Sequence, residues 1–156
     1  MNSNIQPEIN QMDIERLNVF LRGELAAVET YDQAISGLSE QRIQLPLREA
    51  RASHIHRADL LRQRVLAMGG IPSSGSGIWG SFAKLVEGGA VMLGTSPAVA
   101  ALEEGEDHGR DNYRADLEGL SPSTRTFVAS VIVPEQLHTH DLLSGLKKEL
   151  QADSTN

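Results

Sequence analysis

The chain carries one set of polar residues twice, in the same order and at nearly the same spacing. Gly23-Glu24 and Gly105-Glu106 are its two Gly-Glu pairs. Each Glu is followed seven residues later by a tyrosine, Tyr31 and Tyr113, the only tyrosines present. Two His-x-His pairs, His54/His56 and His138/His140, complete the pattern. The Glu–Tyr units lie 82 residues apart and the histidine pairs 84. A repeat of this kind constrains a fold more than any local motif, because each copy is one supersecondary unit. It implies two similar helical hairpins, each bringing one Glu helix and one His helix.

At 156 residues the chain is expected to be one domain. A domain of this size buries ~70% of its unfolded surface and can build a core without staples. Cysteine is absent, which excludes disulfides, zinc-thiolate sites and thiol catalysis. A net charge of -7 argues against nucleic acid as a partner, since such binding needs a basic footprint. No basic segment leading into an apolar stretch opens the sequence, so no signal peptide is expected. No apolar run reaches the ~18 residues of a membrane span. The expectation is a soluble cytoplasmic protein without nucleic-acid or membrane partners.

Apolar residues recur in steps of three and four along four segments, the mark of one-sided helices. The first, 12–38, aligns Leu17, Glu24, Val28, Tyr31, Ile35 and Leu38. The second, 44–69, aligns Leu47, Ala50, His54, Ala58, Leu61 and Val65 and stops at Gly69-Gly70. His56 lies about 200° around the helix from His54 and cannot share its face. The third, 96–119, starts at Ser96-Pro97 and aligns Val99, Leu102, Glu106, Tyr113 and Leu117. The fourth, 122–149, starts at Ser121-Pro122 and aligns Val128, Val131, Glu135, His138, Leu142 and Leu146. Pro134 lies inside it and should bend it or remove a hydrogen bond. Residues 1–11 and 151–156 are polar and read as flexible ends. Between the second and third helices, 79–93 reads as a short crossover helix anchored by Trp79 and Phe82. The fold class is all-α: a four-helix bundle over 12–150 with a long crossover carrying one extra short helix.

Carboxylates and imidazoles on apolar stripes call for a partner, because a buried unpaired carboxylate is strongly disfavoured. Helix bundles satisfy such groups with two metal ions, held by one Glu from each of two helices and a Glu-x-x-His from each of the others. Here Glu24, Glu106, the Glu135/His138 pair and His54 are the candidate ligands. Arg51 stands three residues before His54, where a Glu would complete the set. His56 is the alternative imidazole, and Glu103, one turn before Glu106, is a substitute carboxylate. Iron or manganese accepts such a mixed donor set. His108 and His140 read as surface residues.

The segments GELAAVETY, EEGEDHGRDNY and PEQLH, in that order on successive helices, resemble the ferritin-like superfamily. The Glu–Tyr spacing looks like the first-helix signature of rubrerythrin and ferritin, and Glu103/Glu106 looks like the doubled glutamate of the rubrerythrin third helix. The segment GGIPSSGSGIWGSFAKLVEGGAVMLG looks instead like a branch of small bacterial ferritin-like proteins. The resemblance covers roughly 12–150. It implies a ferritin-like bundle, a site for one or two iron ions with manganese or zinc as alternatives, oxidase- or peroxidase-type activity, and a homodimer. Tyr31 and Tyr113 would then orient the carboxylates.

Arg51 opens a second expectation. An arginine cannot ligate a metal and stays protonated. If Arg51 points inward it pairs with the acids and leaves a site for one metal or for none; in the latter case the chain is a metal-free bundle with a structural, stress-related or interaction role. If it turns outward and Glu103 fills the gap, two metals remain compatible with the sequence.

Overall fold

The structure is a computed structural model that describes residues 5–77 and 89–155. The protein is all-α. Helix α1 spans Ile5–Gly37 and helix α2 Gln41–Ala67. A 3-10 turn, Ala90–Leu93, precedes α3, Thr95–Leu117. The last helical stretch has three parts: α4, Pro122–Phe127; a π segment, Val128–Ile132; and α5, Val133–Asp153. Helix α1 begins in the stretch expected to be loose, and α5 continues past residue 149. The expected crossover helix over 79–93, with Trp79 and Phe82, lies mostly outside the described residues. Its described part is the 3-10 turn. No helix among the described residues is long and apolar enough to cross a membrane.

Short connections make antiparallel neighbours. Between α1 and α2 the Gln44 amide donates to the carbonyls of Ile35 and Leu38, at 3.2 and 2.5 Å, and so supplies donors to orphan carbonyls at the end of α1. Gly94, at φ 113°, takes a backbone conformation open chiefly to glycine and leads the chain into α3. At the start of α4 the buried Asp13 of α1 accepts hydrogen bonds from the Ser121 backbone N–H and hydroxyl. Asp13 thus binds the first helix to the last helical stretch. The main packed pairs are α1 with α2, α3 with α5, and α2 with α5.

Two apolar clusters form the core. One holds Ala27, Tyr31, Leu47, Leu102, Leu143 and neighbours. The other holds Leu17, Phe20, Leu61, Tyr113, Val128, Ile132 and neighbours. A layer of buried polar residues lies between them: Glu24, His54, Arg57, Glu106, Gln136 and Thr139.

The π segment corrects the expected face of the fourth helix. The buried residues are Val128, Ile132, Gln136, Thr139, Leu143 and Leu146, not Val131, Glu135, His138 and Leu142. The Val133 N–H reaches the Val128 carbonyl, five residues back. A π turn holds one residue more than an α turn, so every later side chain rotates by one position. Pro134 gives a physical reason for its place: without an N–H, and with a ring that would strike the carbonyl four residues back, it disfavours a regular α turn there. The sequence showed the disturbance but not that it would shift the register.

Replacing Ile132 by Ala should cost about 2–5 kcal/mol, the usual range for a buried large-to-small change. Val131→Ala should stay within about 0.5 kcal/mol, because Val131 is 38% exposed. Urea denaturation of both variants checks the register. The reverse order would put Val131 inside.

Candidate functional site

Glu24 and Glu106 sit at matching points of α1 and α3, each buried, and each meets the tyrosine of the other helix. The Tyr31 hydroxyl donates to Glu106 Oε1 at 2.6 Å. The Tyr113 hydroxyl donates to Glu24 Oε1 at 2.5 Å. The seven-residue step puts each tyrosine two turns from its own Glu on the same face, and the helices cross so that the bonds are exchanged. Tyr113 packs on Phe20, ring centroids 4.5 Å apart, and Tyr31 packs on the His54 ring at 5.1 Å.

Helix α2 places His54 between the two carboxylates. His54 Nδ1 lies 2.6 Å from Glu24 Oε2 and Nε2 lies 2.8 Å from Glu106 Oε1. One turn later Arg57, with no exposed surface, donates from Nε to Glu24 Oε1 at 3.0 Å. Its Nη1 reaches the hydroxyls of Ser53 and Thr139 at 3.1 and 3.3 Å. Helix α5 closes the layer. The Thr139 hydroxyl donates to Glu106 Oε2 at 2.8 Å, and the Gln136 amide donates to the Glu106 backbone carbonyl at 3.0 Å. All four carboxylate oxygens therefore accept a hydrogen bond within the layer.

The charges balance. Burial raises the Glu24 pKa, but Arg57 and His54 outweigh it and bring the carboxyl from 4.5 to about 2. Burial acts on Glu106 in the same sense and is outweighed by His54, with help from the Tyr31 hydroxyl, so its pKa also falls. Burial and the guanidinium push the His54 pKa down, while Glu106 and Glu24 push it up more strongly. Below about pH 6.5, with an acceptor carboxylate at each nitrogen, His54 is an imidazolium donating both ways. Arg57 Nη2, 2.7 Å from Nδ1, opposes that state without cancelling it. Burial and the nearby carboxylates raise both tyrosine pKa values well above their usual range, Glu106 acting on Tyr31 and Glu24 on Tyr113, so both phenols stay neutral. Two carboxylates face one imidazolium and one guanidinium.

The structure brings together only part of the expected ligand set. Glu24, His54 and Glu106 meet, with Tyr31 and Tyr113 as their partners. Glu135 and His138 do not join them. The Glu135 side chain is 32% exposed and bonds His56 and Ser53, at 2.8 and 3.1 Å. The His138 side chain is 61% exposed and pairs with Glu49 at 2.9 Å. The one-residue shift of α5 accounts for both. Arg51 turns outward and pairs with Asp32. Glu103 does not fill the gap; it bonds Lys147 at 2.7 Å and Ser144 at 3.2 Å. The inward arginine is Arg57, which sequence reasoning passed over. It lies three residues after His54 and four before Leu61, on the same stripe, and that spacing was the available signal.

A small cleft reaches the layer, lined by Gly23, Glu24, His54, Arg57, Glu106, Gly109 and others. Its space for water is about 30 Å³, room for only about one or two molecules. A pair of metal ions does not fit the donors present. The second ion would meet the Arg57 guanidinium, which cannot give up its proton. The positions facing Glu106 from α5 carry an amide and a hydroxyl instead of Glu and His. Among the described residues Glu103, Asp107 and His140 also bring ligand atoms within 4.8 Å of one another. There Lys147 holds Glu103 and Arg110 holds Asp107, so local cations already balance both acids.

Comparison with protein-family models, with curated proteins and with solved structures returns no significant match.

Two outcomes follow from the charge balance. Arg57→Leu leaves Glu24 short of a partner and should cost about 3–5 kcal/mol in urea denaturation; a neutral result would show that Arg57 contributes no net pairing. The second is pH dependence. The depressed Glu24 pKa contributes stability above 4.5 that is lost as pH falls towards about 2. The raised His54 pKa contributes stability below 6.5 that is lost as pH rises through its folded value. The melting temperature should therefore fall on both sides of a plateau between about 4.5 and 6.5. His54→Gln should flatten the alkaline side, and an unchanged alkaline slope in that variant would remove His54 as its origin.

Proposed function

We propose that the chain is a ferritin-like four-helix bundle whose centre works without a metal ion, and that its role is structural or interactive, of a stress-related kind, rather than catalytic. The single observation that carries this reading is Arg57. Its buried guanidinium, 3.0 Å from Glu24, supplies inside the helices the positive charge that a metal would otherwise bring. With His54 as imidazolium the layer is neutral and its carboxylates are hydrogen-bonded. Such a layer divides the apolar core and fixes how four helices meet, because any slip leaves a buried charge unpaired.

A metal-binding role, iron first, with oxidase or peroxidase chemistry, is the second reading. It is favoured by the convergence of Glu24, His54 and Glu106 at the end of a cleft. One ion there would have to displace the His54 protons and stand beside Arg57.

Elemental analysis separates the two. Protein produced in medium supplemented with iron, manganese and zinc, and purified without chelator, should carry far less than one ion per chain. Its melting temperature should not respond to EDTA. About one bound ion per chain that disappears in Glu106→Ala would overturn the metal-free reading.

A further inference from the structure

The 82-residue offset extends beyond the residues that first showed it. In α1 and α3 it relates Leu17 to Val99, Phe20 to Leu102, Glu24 to Glu106 and Tyr31 to Tyr113, all buried. In α2 and α5 it relates His54 to Gln136, Arg57 to Thr139 and Leu61 to Leu143, again all buried. Up to the first residue of the π segment the offset is 81, relating Ile43 to Thr124 and Leu47 to Val128, each of them buried. From Ala50 and Ile132 onward it is 82. The π turn is thus the one-residue insertion that separates the two halves of the repeat. The exchanged Tyr–Glu bonds are what a two-fold relation between the halves requires.

This register shows what stands at the positions of the missing ligands. A two-metal bundle places a Glu-x-x-His pair on each of the helices facing the two single glutamates. The inward pairs at that spacing are His54-x-x-Arg57 and Gln136-x-x-Thr139. The EQLH segment, Glu135 to His138, matches the motif in sequence but lies one residue off the inward face. We propose that the core is a duplicated pair of half-sites in which these four residues replace two Glu-x-x-His pairs, and that they alone separate it from a centre for two divalent transition-metal ions. The inference rests on the metal-free reading and deepens it. Charge supports the exchange. Four carboxylates and two divalent ions form a neutral centre. Here two carboxylates, one imidazolium and one guanidinium form another.

The test is a four-fold variant, His54→Glu, Arg57→His, Gln136→Glu and Thr139→His, titrated with Co(II) and followed by absorption, with far-ultraviolet circular dichroism and melting in parallel. It should take up about two Co(II) per chain and melt higher with the ion than without. Loss of Arg57 strains the apo form, so folding is also judged in the presence of Co(II), where metal binding and folding are coupled. Adding Glu135→Gln and His138→Gln to this variant should leave uptake unchanged.

Three results overturn the proposal: a folded variant with no saturable uptake, a variant that stays unfolded with Co(II), or uptake that vanishes with the Glu135 and His138 changes. Saturable Co(II) uptake by the unaltered protein would sink the metal-free reading instead, so the two failures are distinguishable.

Discussion

The geometry of the protein turns on the placing of two buried carboxylates among four charged groups. Glu24 and Glu106 are buried between helices, with room for only about one or two water molecules beside them. Left alone they would take up protons or drive the helices apart. His54 and Arg57, one turn apart on α2, hold both in the ionised state. Helix α2 therefore has only a narrow choice of rotation and height. The tyrosines extend the constraint, since each rises out of one apolar cluster to reach an acid near the boundary with the other. Apolar packing supplies cohesion on both sides, and the polar layer supplies alignment.

A neutral layer differs from a metal centre in its consequences. A metal site makes folding answer to metal supply and to the protonation of its ligands. The guanidinium is covalently part of the chain and always charged. Both positive charges of the layer come from α2. Acid can release the carboxylates and base can discharge the imidazolium, and on the proposed metal-free reading a chelator leaves the layer intact. The proposed structural role suits such a layer, because its charge balance is supplied by side chains of the chain itself.

Much of the fold was legible in the sequence, for a specific reason. The Glu–Tyr spacing fixed the inward faces of α1 and α3, and both acids and both tyrosines lie where that spacing puts them. His54 was legible from its step to Leu61. Two things were not. Arg57 shares the stripe of His54, but a positive charge among apolar residues reads as solvent-facing unless its two counter-charges on other helices are already in view. The face of α5 was missed because periodicity was carried through Pro134 as if the turn count were unchanged. One extra residue in the π turn sufficed to exchange Glu135 for Gln136 and His138 for Thr139. Local pattern describes a regular helix well and has no means of counting an irregular turn.

The π segment leaves α5 carrying two adjacent stripes of different chemistry. The inner one offers an amide and a hydroxyl; the outer offers a carboxylate and an imidazole, now engaged with His56 and Glu49 on α2. They are one residue apart, about 100° around the helix axis. Tightening Val128–Ile132 to an α turn with every residue kept would rotate the outer stripe into the core, whereas losing one residue there would leave Gln136 and Thr139 on the inner face. On this helix the length of one turn decides which stripe faces Glu106, the amide and hydroxyl or the carboxylate and imidazole.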